Sequence, residues 1–265
     1  MENCRGIGLF DSGVGGLSVS REIFRQLPAE STIYYGDTAH VPYGPRTPAE
    51  LVGFAENIIT FLVERGAKYV IFACNTSSSL SLHLVREKFT VPMIGLISPG
   101  AAEALRKSKS LRVGVLATEA TVRSGAYRRA LEGLAPGVKV FSQAAPRLVP
   151  LVESGLAGTA AAREAVRQYL RPLQRENIDT LILGCTHYPF LEEEIREGLG
   201  AGVAIVDPAA ATVRAAAEDL SHRGLLAGPD ECRAGHHYYV SGDPARFQQE
   251  AKRFLGYSLP PVRKV

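Results

Sequence analysis

Two cysteines of this sequence stand in the same kind of context, and a thiol can both take up and release a proton. Cys74 follows the apolar run Tyr69–Ala73, and Cys185 follows the aliphatic run Leu181–Leu183 with one glycine between. Each run is typical of a buried parallel strand, and the polar residues after each thiol could begin a helix, whose N-terminus favours the thiolate. Because ligands of such sheets bind at the carboxyl ends of the strands, we expect both thiols to be catalytic.

Other side chains could handle charge or protons near these thiols. His187 lies two residues after Cys185, so on a turn its imidazole could face the same site, and we interpret it as a proton-handling partner. Asp11 follows the first predicted strand and could hold a cationic amine or tune a neighbouring thiol, while Ser12 and backbone N–H groups could bind a carboxylate. For Glu153 two interpretations stay open, a carboxylate behind the site or a solvated glutamate at a helix end.

Neutral hydrogen-bond donors complete the predicted site, and such donors suit a small anionic substrate. They comprise one phenol, one open backbone amide and several amide or hydroxyl side chains: Tyr43, Gly44, Asn75, Thr76, Thr118, Thr121 and Thr186. Two thiols that serve one small polar molecule suit inversion at a carbon atom, because one group removes a proton from one face and the other delivers a proton to the opposite face. The sequence has no strong cofactor-binding motif, so we expect this reaction to need no cofactor.

The elements that must position these residues alternate between strand and helix, which is typical of parallel sheets flanked by helices. The pattern occurs twice: Phe10 and Leu116 end equivalent predicted strands 106 residues apart, and Cys74 and Cys185 are 111 residues apart. Two offsets this similar predict a duplicated unit. We therefore predict an α/β protein of two similar lobes, each a mostly parallel sheet flanked by helices, related by a pseudo-twofold axis, with the active site in the cleft between them.

The predicted lobes are not continuous in sequence. Residues 1–97 plus 207–265 form the first α/β lobe, because the C-terminal segment is expected to pack on it, and residues 98–206 form the second. Ser98-Pro99-Gly100 lies at the boundary and is predicted to be a hinge.

The bulk composition argues against several classes of protein. The net charge of +3 is small and the basic residues are scattered, so we expect no nucleic-acid partner. No apolar run approaches the ~20 residues of a membrane helix and the N-terminus does not resemble a signal peptide, so we expect a cytoplasmic protein with no membrane partner. The cysteines form no C-x-x-C pair and the other histidines have no metal-ligand spacing, so we predict no metal site and a structural role for Cys4 and Cys232.

Four sequence blocks in this order resemble those of the bacterial glutamate racemases, which belong to the aspartate/glutamate racemase family. The blocks are Phe10–Leu17, Gly36–Gly44, Ala73–Thr76 and Gly184–Pro189, and the resemblance covers nearly the whole chain. It implies a cofactor-independent interconversion of L- and D-glutamate that supplies D-glutamate for peptidoglycan. It also implies a homodimer.

The resemblance implies a role for each matching residue as well. Cys74 would act on the α-proton of the D-isomer and Cys185 on that of the L-isomer. The auxiliary acid–base groups would be Asp11, Asp37, Glu153 and His187. The substrate contacts would be Asp11, Ser12, Tyr43, Gly44, Asn75, Thr76, Thr118, Thr121, Thr186 and His187.

Other functions stay open at this point. A related racemase or isomerase could act on aspartate or a hydantoin, and a two-lobed binding protein could close on an amino acid without chemistry. A thiol hydrolase would leave the second cysteine motif unexplained. Because the chain begins almost at its first strand, we further predict that it lacks the activation by a uridine-linked muramyl precursor that some members of the family show.

Overall fold

In a computed structural model of the protein, which describes residues 5–228 and 235–265, strands and helices alternate as predicted. Cys4 and Cys232 lie outside the described residues. In chain order the elements are β1 (Gly6–Asp11), α1 (Leu17–Gln26), β2 (Thr32–Gly36), α2 (Pro48–Glu64), β3 (Ala67–Phe72), α3 (Asn75–Leu80), α4 (Leu82–Val85), β4 (Met93–Gly95), α5 (Ile97–Lys107), β5 (Arg112–Ala117), α6 (Glu119–Ser124), α7 (Ala126–Leu134), β6 (Lys139–Ala144), α8 (Leu148–Glu153), α9 (Ala160–Arg175), β7 (Thr180–Gly184), α10 (Glu192–Leu199), β8 (Ala204–Val206), α11 (Pro208–His222), β9 (His236–Val240), α12 (Pro244–Leu255) and β10 (Val262–Lys264).

The chain divides into two compact units. One comprises Met1–Gly95 with Thr212–Val265, and the other is Leu96–Ala211. The first crossing thus lies just before α5, and the second lies inside α11. Within the described ranges no helix is both long and apolar enough to cross a membrane.

The first unit is built on a parallel sheet, whose described strands lie in the order β10-β9-β2-β1-β3-β4. β1 and β3 lie in the middle of this sheet and are buried along their whole length, which fits their mostly apolar sequences. β9 pairs with β2 and β10 pairs with β9, so the C-terminal segment extends the sheet beyond β2. Residues that follow β1, β2 and β3 therefore emerge side by side at one edge.

The second unit has a parallel sheet in the order β6-β5-β7-β8, with β5 and β7 buried at its centre. This order corresponds to β2-β1-β3-β4 of the first unit, and both ends of β5 lie 106 residues after those of β1. The shared order is what a duplicated unit would have. It gives β3 and β7, the strands that precede the two cysteines, equivalent places in their sheets.

Helix α2 shows how the local sequence sets an element. The hydroxyl of Thr47 accepts a hydrogen bond from the N–H of Glu50 at 3.3 Å, and the Glu50 carboxylate accepts one from the N–H of Thr47 at 2.9 Å. Pro48 occupies the first helical position, where no backbone donor is needed. Gly66, with φ of +90°, takes the chain out of the helix end. The sequence predicts this start at Thr47-Pro48 and this end at Gly66, and the structure confirms both.

The sequence predicts one helix that follows Cys74 and runs to about Lys88, and the structure interrupts it. It breaks at Ser81 into α3 and α4 and ends in a short 3-10 turn. Ser81 Oγ donates to the carbonyl oxygen of Ser77 at 2.8 Å, and Ser78 Oγ donates to that of Phe72 at 3.0 Å. Side-chain bonds of this kind compete with the helical backbone, which accounts for the break.

Two other local predictions differ from the structure. The sequence predicts one helix that follows Thr121 and runs through Leu134, but Gly125, which has a left-handed φ of +64°, divides this segment into α6 and α7. The predicted hinge Ser98-Pro99-Gly100 is wrong, because these residues lie in the first turn of α5. A proline in a first turn costs no backbone hydrogen bond, so it begins a helix as readily as it marks a loop.

Candidate active site

The first predicted catalytic thiol lies where β3 ends and α3 begins. Cys74 is the N-cap residue of α3, and Asn75 and Thr76 form the first turn of that helix. All three side chains are buried. Since the last four residues of β3 are apolar or aromatic, this polar cluster begins only at the carboxyl end of the strand, as the sequence predicts.

Asp11 lies at the end of β1, next to the strand that leads to Cys74. The N–H of Ala73 donates to the carbonyl oxygen of Phe10 at 2.9 Å, which joins the two strand ends. The Asp11 carboxylate is fully buried, and its Oδ2 accepts the N–H of Gly13 at 2.9 Å. A Cβ on Gly16 would lie 2.6 Å from the Cβ of Asp11, so close packing requires glycine there. The glycine-rich turn therefore holds Asp11 at the base of the site.

A buried carboxylate–phenol pair stands on the loop after β2. The N–H of Asp37 donates to the carbonyl oxygen of Asp11 at 2.9 Å, and the Tyr43 hydroxyl donates to Asp37 Oδ2 at 2.6 Å. Burial and then the charge of Asp37 raise the pKa of Tyr43, so the phenol keeps its proton. Tyr43 also packs with Leu51 and Cys74 in one buried cluster. The pair thus lies close to the first thiol.

The second predicted catalytic thiol follows β7, beside the end of β5. Ala117 of β5 pairs with Gly184 of β7, so Thr118 and Cys185 follow adjacent strand ends. Thr118 is the N-cap of α6: its Oγ1 accepts the N–H of Thr121 at 3.4 Å and donates to Thr121 Oγ1 at 3.0 Å. These bonds give the two threonines a role in ordering the helix end, beside the predicted contact with a substrate.

An imidazole and a carboxylate stand in line behind the second thiol. The Sγ atom of Cys185 is 3.8 Å from Nδ1 of His187, and Nε2 of His187 is 3.2 Å from Oε1 of Glu153. The His187 ring is buried, whereas the Glu153 side chain, at the end of α8, is 28% exposed. Of the two interpretations of Glu153, this geometry favours the carboxylate behind the site. Through His187, a proton could move between the buried thiol of Cys185 and the partly exposed carboxylate of Glu153.

The segment after Cys185 differs from its prediction. The chain makes a turn and then a 3-10 helix over Tyr188–Leu191, and only then enters α10. Pro189 accounts for this, because α geometry is disfavoured for the residue before a proline. The predicted turn that brings His187 back to the thiol is present, but the α-helix N-terminus predicted beside Cys185 is wrong.

Three buried tyrosines near the thiols were not predicted. Burial raises the pKa of Tyr34, Tyr127 and Tyr188, and neighbouring groups that include the cysteine of the same unit raise it further. Tyr34 donates to the carbonyl oxygen of Gly13 at 2.8 Å, and Tyr188 donates to that of Ala145 at 3.0 Å. An apolar pattern predicts that a tyrosine is buried but not where its hydroxyl points, so sequence reasoning missed these anchors.

The structure places the predicted residues in two sets, one in each unit. The first set is Asp11, Ser12, Asp37, Tyr43, Gly44, Cys74, Asn75 and Thr76. The second set is Thr118, Thr121, Glu153, Cys185, Thr186 and His187. Each set contains one buried thiol, at least one carboxylate side chain and several neutral hydrogen-bond donors. Each can therefore take up or release a proton beside groups that suit a small anion.

The family model described as Asp/Glu/Hydantoin racemase matches residues 7–216. The chain belongs to this family. It is 56% identical over 264 residues to the glutamate racemase of Desulforudis audaxviator strain MP104C, covering 98% of this chain and 97% of the relative. The resemblance that the four sequence blocks carry is thereby confirmed.

Solved structures agree over the whole chain. Glutamate racemase isoform RacE1 from Bacillus anthracis is 41% identical, with a TM-score of 0.95 and coverage of 100% of this chain and 98% of that chain. The glutamate racemase from Francisella tularensis subsp. tularensis SCHU S4, solved in complex with D-glutamate, is 32% identical, with a TM-score of 0.91 and coverage of 99% and 98%. The predicted fold class, α/β with two parallel sheets flanked by helices, is confirmed.

Proposed function

We propose that the protein interconverts L- and D-glutamate and that Cys74 and Cys185 are its two bases. The observation that carries the proposal is the equivalent placement of the thiols. Each is buried just past the carboxyl end of an equivalent strand, β3 or β7, in a chain whose relatives are named glutamate racemase. A single nucleophilic thiol would leave the second without a role.

In the proposed reaction Cys74 removes the α-proton of D-glutamate and Cys185 removes that of L-glutamate. On one face the Cα–H bond breaks and an S–H bond forms; on the opposite face the S–H bond of the other cysteine breaks and a new Cα–H bond forms. No electron is gained or lost, so the step balances without an oxidant or a reductant. His187 and Glu153 then exchange the proton of Cys185 between turnovers, which their 3.8 Å and 3.2 Å contacts support.

The α-proton of an amino acid is weakly acidic, so the carbanion-like state needs stabilisation. We propose that the neutral side chains Asn75, Thr76 and Thr186 hold the substrate and that exclusion of water strengthens their hydrogen bonds as charge develops. Asn75→Ala and Thr186→Ala should then each lower kcat. A rise in KM alone would contradict this part of the proposal.

The wider setting follows from what the family resemblance implies. We propose that the protein works in the cytoplasm as a homodimer and that its D-glutamate enters peptidoglycan. Sedimentation at micromolar protein concentration tests the dimer, and a monomer that is fully active at that concentration would exclude it. Complementation of a D-glutamate-requiring bacterium tests the metabolic role.

The decisive experiment incubates the purified protein with L-glutamate in D2O and follows circular dichroism and mass together. We expect the optical signal to decay to zero while one deuterium enters at Cα. Cys74→Ala and Cys185→Ala should each abolish racemisation, whereas Cys4→Ala and Cys232→Ala serve as thiol controls.

The alternatives give other outcomes. Exchange with aspartate or a hydantoin, but not with glutamate, would keep the mechanism and change the substrate. No exchange with any amino acid, together with tight binding of one, would favour the binding protein. Full activity of either Cys74→Ala or Cys185→Ala would exclude the two-thiol mechanism.

A further inference from the structure

The C-terminal segment is bonded to the loop that carries the carboxylate–phenol pair. Ser241, just after β9, donates its N–H to the carbonyl oxygen of Gly36 at 3.1 Å, and its Oγ accepts the N–H of Ala39 at 2.9 Å. The N–H of Gly242 donates to Thr38 Oγ1 at 3.0 Å. Ser241 and Gly242 of the C-terminal segment thus hold the loop after β2 on both sides of Asp37.

The Ser241 hydroxyl also reaches the carboxylate itself. It donates to Asp37 Oδ1 at 2.7 Å, while Tyr43 donates to Oδ2 of the same carboxylate at 2.6 Å. His40 Nδ1 lies 2.8 Å from Oδ1 and its ring stacks on Phe54, with ring centroids 4.2 Å apart. Because each hydroxyl has one proton and a carboxylate can only accept, the directions of these hydrogen bonds are set: Ser241 and Tyr43 donate, and Asp37 accepts.

From these contacts we propose that Ser241 is a positioning residue for the Cys74 side of the reaction. It fixes the rotation of the Asp37 carboxylate, the carboxylate fixes the Tyr43 hydroxyl, and Tyr43 belongs to the same buried cluster as Cys74. Asp37 is only 2% exposed, so water cannot readily replace a lost donor. The inference rests on the proposed function, since it assumes that Cys74 removes the α-proton of D-glutamate.

Ser241→Ala removes the hydroxyl that donates to Asp37 and accepts the N–H of Ala39, and it leaves the bonds donated by the N–H groups of Ser241 and Gly242 in place. We expect kcat/KM to fall about tenfold or more, because a small displacement of a catalytic group can cost up to about a hundredfold. Ser241→Thr keeps the hydroxyl and should restore most of the activity. Thr38→Val is the matched control. It removes the hydroxyl that accepts the N–H of Gly242, so it weakens the contact between the same two segments but keeps the hydrogen bonds to the Asp37 carboxylate.

Isotope effects separate positioning from a general loss of structure. If the Cys74 step becomes slower, that step limits the rate more strongly, so the primary effect of α-deuteration should rise when the reaction starts from D-glutamate. From L-glutamate it should fall, because removal of the proton by Cys185 then limits the rate less. Thr38→Val should lower thermal stability and leave both isotope effects unchanged.

Three results would overturn the inference: unchanged kinetics in Ser241→Ala, equal changes of both isotope effects, or the same pattern in Thr38→Val. If Ser241→Ala does not fold, Ser241→Thr is compared with the wild type. A change of the two isotope effects in opposite directions in Ser241→Thr, which keeps the hydroxyl, would contradict positioning by that hydroxyl. Failure of the proposed function is distinguishable, because either the wild-type protein would not racemise glutamate or Cys74→Ala would keep the wild-type activity, whatever the Ser241 variants do.

Discussion

The two thiols share a scaffold but not a chemical environment. Each follows the third strand of its unit, in equivalent places of two sheets with the same strand order. The imidazole of His187 lies beside Cys185 and contacts the partly exposed Glu153, whereas Cys74 shares a buried cluster with Tyr43, which donates to Asp37. The duplicated elements set where a thiol emerges, and the loops between them set which groups handle its proton.

This difference has a chemical meaning. An imidazole can titrate near neutral pH and can pass a proton to a carboxylate that solvent reaches. The Tyr43 phenol cannot do so, because burial and the charge of Asp37 raise its pKa and keep it protonated. The groups near Cys185 are thus suited to exchange protons with solvent, whereas the Asp37–Tyr43 pair near Cys74 is suited to keep neighbouring side chains in position.

Substitution of His187 should have the largest effect on this contrast. His187→Asn keeps a polar side chain of similar reach but removes the proton acceptor beside Cys185, so we expect kcat to fall about a hundredfold, the lower part of the range for general acid–base catalysis. Steady-state kinetics in both directions measure it. His83→Asn, at an exposed histidine of α4, is the control. Equal kinetics in the two variants would remove the proton relay from the proposal.

Loss of charge at Asp37 should have a smaller effect on turnover. Asp37→Asn keeps the shape, but its amide cannot accept from Tyr43 and Ser241 on both sides, so we expect kcat/KM to fall about tenfold and thermal stability to decrease, since a buried donor or acceptor loses its partner. Kinetics and thermal unfolding measure the two effects. A loss of kcat larger than that of His187→Asn would contradict the contrast between proton exchange near Cys185 and positioning near Cys74.

Glu153→Gln should change the rate by only a few-fold. Its side chain is partly exposed, so solvent can take over part of its role behind His187. The variant should lower kcat and leave KM unchanged, because Glu153 lies behind the imidazole and not beside the thiol. Glu193→Gln, at an exposed position of α10, controls for the change of charge. A hundredfold loss would instead place Glu153 in direct contact with the reaction.

Two buried tyrosines allow a matched test in which stability, not chemistry, is expected to change. Tyr34→Phe and Tyr188→Phe each leave one backbone carbonyl without its donor, which costs about 1–2 kcal/mol of unfolding free energy. Thermal and urea unfolding measure the loss, and kcat should change less than in Asp37→Asn.

The pH dependence of this pair has a definite sign. Both phenols have a pKa raised by burial above the ordinary 10.0, so their contribution to stability is complete below pH 10.0 and is lost as the pH rises through the pKa of the folded state. Each variant should therefore show the same loss at pH 6 and at pH 8. A loss that differed between these two values would show that another titrating group is involved.

Much of the fold could be predicted because its signals are local. The apolar run before Cys74 predicts a buried strand, and Thr47 followed by Pro48 predicts the start of α2. Local signals failed where one residue type serves two structures. Pro99 in the sequence indicates a hinge but lies in the first turn of α5, and the pattern after Cys185 indicates an α-helix where Pro189 leads to a 3-10 turn.

The candidate site divides in the same way. The thiols, His187 and the neutral donors could be found because they follow strand ends in the sequence. The bonds of Tyr34 and Ser241 could not, because each joins segments that are distant in the chain: Ser241 and Asp37 are 204 residues apart and still lie 2.7 Å from atom to atom. No local pattern encodes such a contact.

The sequence by itself determined the alternation of strand and helix, the family, and the two thiols at equivalent strand ends, because apolar periodicity and short motifs act over a few residues. Only the tertiary structure decided that Glu153 lies beside His187, that the Tyr43 hydroxyl donates a hydrogen bond to Asp37, and that the C-terminal segment holds this pair in place. The reason is physical: a side chain chooses its hydrogen-bond partner from whatever packing brings within about 3 Å, and packing is settled by the whole chain.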